Sequence, residues 1–175
     1  MLFDLYQRAI NTGMEIKTIN MYKKYCFNVL NRSLSHVVEK NYPNLMDKNL
    51  ILELYFINDK KMQDINLKYR NINKTTNVLS MQFLSNKELS SINLVQLILG
   101  EIHISVNELH REAKAYKMDN MTHLARLLIH GMLHLFGYDH NNEEDALEML
   151  KVEKYLLEKL GINNVALVNN YWYDE

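Results

Sequence analysis

Apolar residues change their spacing several times along the chain, and each change marks an element. Between residues 20 and 40, Tyr25, Val29, Leu30 and Leu34 fall on one helical face, and the pattern breaks at Asn41-Tyr42-Pro43. The run ILELYFIN (51–58) reads as a strand. DKKMQDINLKYR (59–70) opens on a capping aspartate and places Met62, Ile65, Asn66 and Tyr69 at helical spacing, so a helix is predicted directly after that strand. TNVLSMQF (76–83) reads as a second central strand and EIHISV (101–106) as a third, joined by a loop or a short helix. From Asn107 the pattern is helical, through ELHREAKAYK and then MTHLARLLIHGMLHLF. The sum predicts one α+β domain spanning residues 1–175, with a small sheet and several helices.

Composition narrows this picture. A chain that is 47% hydrophobic and 23% charged, with five glycines and one proline, has the make-up of an ordered globular protein. Cys26 is the single cysteine, which excludes an internal disulfide and makes the cytoplasm the expected compartment. The N-terminal MLFDLYQRAINTG is interrupted by Asp4, Gln7 and Arg8, so neither a signal peptide nor a membrane anchor is expected. A formal net charge of -1 provides no global attraction to nucleic acid. The local clusters Lys60, Lys61, Lys68, Arg70, Lys74 and Arg111, Lys114, Lys117 read most simply as solvated helix faces.

The chemistry concentrates in HGMLHLFGYDH (130–140). Leu124, Leu127, Leu128 and Leu135 continue a helical pattern through it, so His130 and His134 lie one turn apart and point the same way. Gly137 lets the chain leave the helix in a left-handed conformation and swing His140 back toward the other two. Three imidazoles at one point suit Zn²⁺ and leave a fourth position for water. With a single thiol in the chain, a closed structural zinc site is disfavoured.

Zinc proteases with H-E-x-x-H carry their general base where this chain has Gly131. Asp139, Glu101 and Glu153 are the candidate acids to replace it. Glu153 shares a helical stripe with Ala146, Met149, Leu150, Leu157 and Leu160, where it either orients a ligand histidine or sits in water at the stripe's edge.

Together with the following EE, Met149 and Glu153, this segment resembles the signature of the YbeY family of endoribonucleases, the rRNA maturation factors. YRNINKTTNVLS (69–80) is similar to that family's "yRgkdkpTDVLSFP" pattern, and LGEIHIS (99–105) to its "lGDIvIS". Asn77 stands in place of an aspartate, Met81-Gln82 in place of Phe-Pro, Ile72-Asn73 in place of Lys-Asp, and Glu101 in place of a second aspartate. The first 50 residues carry none of the resemblance.

The resemblance implies a zincin-like α+β fold with a small mixed sheet beside the metal helix. It also implies a cytoplasmic, zinc-dependent, single-strand-specific endoribonuclease acting in 3′-end maturation of small-subunit rRNA and in ribosome quality control. One Zn²⁺ would be held by His130, His134 and His140, and Arg70 would be the catalytic arginine, with single-stranded rRNA and the small subunit or its proteins as partners. A guanidinium suits the charge that builds on a phosphodiester, although an exposed arginine at a helix end also favours the helix dipole. Two rival readings are a metalloprotease or amidohydrolase that borrows a base from elsewhere, and a non-catalytic ribosome-associated zinc protein.

Overall fold

The computed structural model describes residues 2–10 and 16–163, with side chains from residue 23 onward. Strand β1 (Leu2–Ile10) leads into helix α1 (Ile16–Asn41), a short 3-10 turn (Pro43–Leu45) and strand β2 (Asn49–Ile57). Helix α2 (Asp59–Arg70), strand β3 (Val78–Gln82), helix α3 (Asn86–Ser91) and strand β4 (Gln96–Ser105) follow. Helices α4 (Val106–Ala115), α5 (Asn120–Leu135) and α6 (Glu143–Lys159) complete the described chain. The fold is α+β, as the apolar pattern predicts.

The four strands form one mixed sheet in the order β1-β2-β4-β3. β1 and β4 flank β2 in parallel, and β3 runs antiparallel along β4. Residues 2–10 carried no predicted element, because Asp4, Gln7 and Arg8 interrupt their apolar run; their strand is completed by β2, which lies far along the chain. The segment 76–83 is likewise not central: β3 is a five-residue edge strand. Apolar content reports burial by covering helices as readily as flanking by two strands, which is why that reading erred. β4 begins at Gln96, earlier than the predicted 101. The connection before it contains α3, started by a capping box between Ser85 and Glu88.

One face of the sheet meets the main core. Leu50, Leu52, Leu54 and Phe56 of β2, with Leu97, Leu99, Ile102 and Ile104 of β4, join Val29, Leu30 and Leu34 of α1 and the leucines of α5. Cys26 is fully buried in this layer, and burial pushes its thiol up to about 12. α2 covers the other face, where Met62 and Ile65 pack on Ile57 and Leu79. Its cap is Asn58, which accepts from Lys61 N at 2.9 Å. Asp59, expected as the cap, instead accepts from Ser105 Oγ at 2.6 Å and from Arg111 at 2.8 Å, tying α2 to the start of α4.

Every residue of α5 from His123 to Leu133 is buried, so this helix is apolar nearly all round and runs through the middle of the molecule. Asp119 caps it by accepting from Met121 N and Thr122 N. A register slip between Ile51 and Leu52 of β2 falls opposite Leu99 and Gly100 of β4. Gly100 is required there, since a Cβ would collide with the Met81 carbonyl of the edge strand.

Candidate metal centre and the cavity around it

α5 delivers two imidazoles to one spot because His130 and His134 are four residues apart on a helix fixed on all sides. After Leu135 the helix closes with bonds from Gly137 N to His134 O (3.0 Å) and from Tyr138 N to Leu133 O (3.1 Å), with Gly137 at φ +77. The turn returns the chain so that His140 joins the pair, its backbone N–H held by Asp139 Oδ1 at 2.8 Å. A ligand atom from each histidine lies within 4.8 Å of the others, forming a group able to hold a metal ion.

The donor chemistry fits zinc. Glu153, 4% exposed, meets His130 Nδ1 at 2.6 Å, so the carboxylate takes that N–H and leaves Nε2 bare. That Nε2 stands 3.0 Å from His134 Nε2, near the about 3.3 Å kept by two nitrogens on a tetrahedral ion at ~2.0–2.1 Å. Burial, then the facing His130 and His140, push His134 down to about 4, so it is neutral and ready to ligate near neutral pH. Of the two readings of Glu153, the one that orients a histidine matches the structure.

The triad opens into a cavity of about 750 Å³. Arg70, at the end of α2, lines it, and its guanidinium makes no hydrogen bond or ion pair with the described residues. Ser80, Lys87 and Asp139 also reach this cavity. Ser80 Oγ is shielded from solvent without a hydrogen-bond partner.

Gly131 explains the missing base in steric terms. A Cβ there would lie 2.8 Å from Ser80 Oγ, 3.1 Å from Ile102 Cγ2 and 3.3 Å from Val78 Cγ2. α5 sits directly on the sheet at this point, and a glutamate has no room. Of the three acids considered as replacements, Glu153 is engaged with His130, and Glu101 binds His103 Nε2 at 2.8 Å. Glu101 also points away, because its neighbour Ile102 is the one that faces Gly131. Asp139 alone of the three lines the cavity.

A family model described as Endoribonuclease YbeY matches residues 13–161. The chain belongs to the endoribonuclease YbeY family. The match reaches well into the first 50 residues, which had contributed nothing to the sequence resemblance, and brings α1 into the family. A relative from Anaplasma phagocytophilum, named Endoribonuclease YbeY, is 42% identical over 120 residues, covering 69% of this chain and 73% of its own. One of the same name from Ehrlichia canis is 36% identical over 151 residues, covering 83% and 94%. The solution structure of TM1509 from Thermotoga maritima shares the fold, with a TM-score of 0.54 at 17% identity over 93% of this chain and 95% of that one.

One departure from the family pattern acquires a partner in the structure. Asn77 donates its amide to both oxygens of Glu112, at 3.0 and 3.1 Å, and its own oxygen accepts from Val78 N at 2.6 Å. The second oxygen of Glu112 also meets His123 Nε2 at 2.7 Å. Glu112 and His123 went unnoticed in the sequence. The only available signal was the uncharged residue at 77, since an aspartate there would face a carboxylate.

Proposed function

We propose that this chain is a single-domain, zinc-dependent endoribonuclease that cuts single-stranded RNA in the cytoplasm. We place its action in 3′-end maturation of small-subunit rRNA and in ribosome quality control, with the small subunit or its proteins as partners. The carrying observation is that three convergent histidines and a guanidinium without a partner among the described residues line one cavity. Membership of an endoribonuclease family supports the substrate class. The described residues contain no helix long and apolar enough to cross a membrane.

His130, His134 and His140 would hold the zinc, which when bound supplies Lewis-acid polarisation and an acidified water. The rest falls to the chain. Glu153 holds the proton on His130 Nδ1 and so keeps the opposite nitrogen as a donor pair. Arg70 binds non-bridging phosphate oxygens in a bidentate fork and steadies the charge that grows on them during cleavage. No base at position 131 is required for this role division, whereas amide hydrolysis of the H-E-x-x-H type requires one. The described residues bring no fourth histidine, cysteine or carboxylate to the triad, which speaks against a zinc that serves the fold alone.

The test is cleavage of an end-labelled single-stranded rRNA fragment by wild type, Arg70→Ala and His130→Ala, with metal content measured in each. Wild type should cut, His130→Ala should lose metal and activity together, and Arg70→Ala should keep its metal and lose activity. Product ends separate attack by water from attack by the 2′-hydroxyl, since only the latter leaves a cyclic phosphate. Metal-loaded wild type that spares RNA and cuts peptides would overturn the proposal.

A further inference from the structure

A second cavity of about 560 Å³ adjoins the first, and the two share Arg70, Asn77, His140 and Asn141. Its lining differs in kind. Glu112 is fixed by the Asn77 amide and by His123, and a carboxylate accepts about four hydrogen bonds, so one position remains beyond the three described. Glu108 stands in the same wall but is taken up by Arg111 at 2.6 Å, and the exposed Lys74 borders the cavity as well. Asn66 is 2% exposed and spends its amide nitrogen on Lys74 O at 2.8 Å, which leaves Oδ1 buried without a partner. Thr75 borders the same cavity, and its Oγ1 is shielded from solvent without a partner. Glu112 and Asn66 Oδ1 are the acceptors left over, and an unpaired buried acceptor is costly enough to attract a donor.

The open acceptors of Glu112 and Asn66 disfavour a phosphate beside them, while Arg70 sits where the two cavities meet. A nucleic-acid strand with its phosphate at Arg70 would therefore turn a base into the acceptor-lined side. Adenine and cytosine carry an exocyclic amino group that a carboxylate accepts, whereas uracil presents an oxygen at the matching place and would be repelled. From this we infer that the second cavity is a nucleobase subsite that selects adenine or cytosine over uracil beside the scissile phosphate. The inference rests on the RNA-cleaving reading above.

The experiment is done on zinc-loaded wild type with a short end-labelled oligouridine in which one cytidine is moved along the strand. A single adenosine is compared with purine riboside, which lacks the amine. Cutting should concentrate at one fixed offset from the cytidine or adenosine, roughly tenfold above the all-uridine strand, as expected for a hydrogen bond to an ionised acceptor. Purine riboside should behave like uridine. Glu112→Gln, checked for folding by thermal melting, should bring the cytidine-to-uridine ratio toward one whatever its absolute rate. Equal cutting of every strand by wild type would overturn the subsite and leave RNA cleavage standing. Failure to cut any strand would overturn the RNA reading and the subsite with it.

Discussion

A single methyl group at position 131 tests how tightly the metal helix is seated. Its contacts with Ser80 Oγ and Ile102 are closer than side chains ordinarily tolerate, so Gly131→Ala should cost roughly 1–3 kcal/mol of stability through overpacking. Adding Ser80→Ala removes the nearest atom and should restore part of that loss in chemical denaturation, whereas additive losses would place the strain elsewhere. At the neighbouring ligand, Glu153→Gln exchanges a carboxylate for an amide against His130 Nδ1. Metal affinity should fall about 10–100-fold, as for other partners of ligating histidines. Competition against a chelator reads this directly, and unchanged affinity would remove Glu153 from the site.

At the scale of elements, α5 both carries the ligands and fills the core, and its geometry begins at its cap. Asp119 holds two backbone N–H groups, and hydrogen bonding from Thr122 first, then from the backbone, keeps its carboxyl below the usual range. Asp119→Ala should lower stability by about 1 kcal/mol, as loss of a helix cap does, while metal content stays unchanged because the ligands lie more than two turns away. Loss of metal with retained stability would show that the cap steers the site instead. The elements also show what a sequence carries locally. α2 and α5 were readable because their helical periods are local, with Gly137 marking the turn after α5, although the cap of α2 was placed at Asp59 instead of Asn58. β1 and the edge position of β3 were not, since both depend on which distant strand lies alongside.

For the whole molecule, the same division holds at the site. The three histidines lie within one short segment and were found together, whereas Asn77 meets Glu112 across 35 residues, with only the missing charge at 77 as a local sign. The triad stands at the edge of a core that is apolar and continuous beneath it. Chelation should thus abolish cleavage while far-UV circular dichroism remains native, unlike a zinc finger, which unfolds without metal. The metal-free protein should also be sensitive to acid. His134 titrates near 4 when folded and near 6.5 when not, so the unfolded chain binds more protons in between. Its contribution is complete above about pH 6.5 and is lost as pH falls through 4. Melting points of metal-free protein should decline across that window, and His134→Gln should decline less.

Cys26 turns the core under α1 into its own clock. A fully buried thiol whose ionisation is pushed up to about 12 is closed to alkylating reagents until α1 leaves the sheet. With no other cysteine in the chain, the rate of labelling reports every opening that exposes this one helix, local or global. If labelling runs faster than global unfolding, α1 detaches as a separate unit; if the two rates coincide, the sheet and its helices give way together.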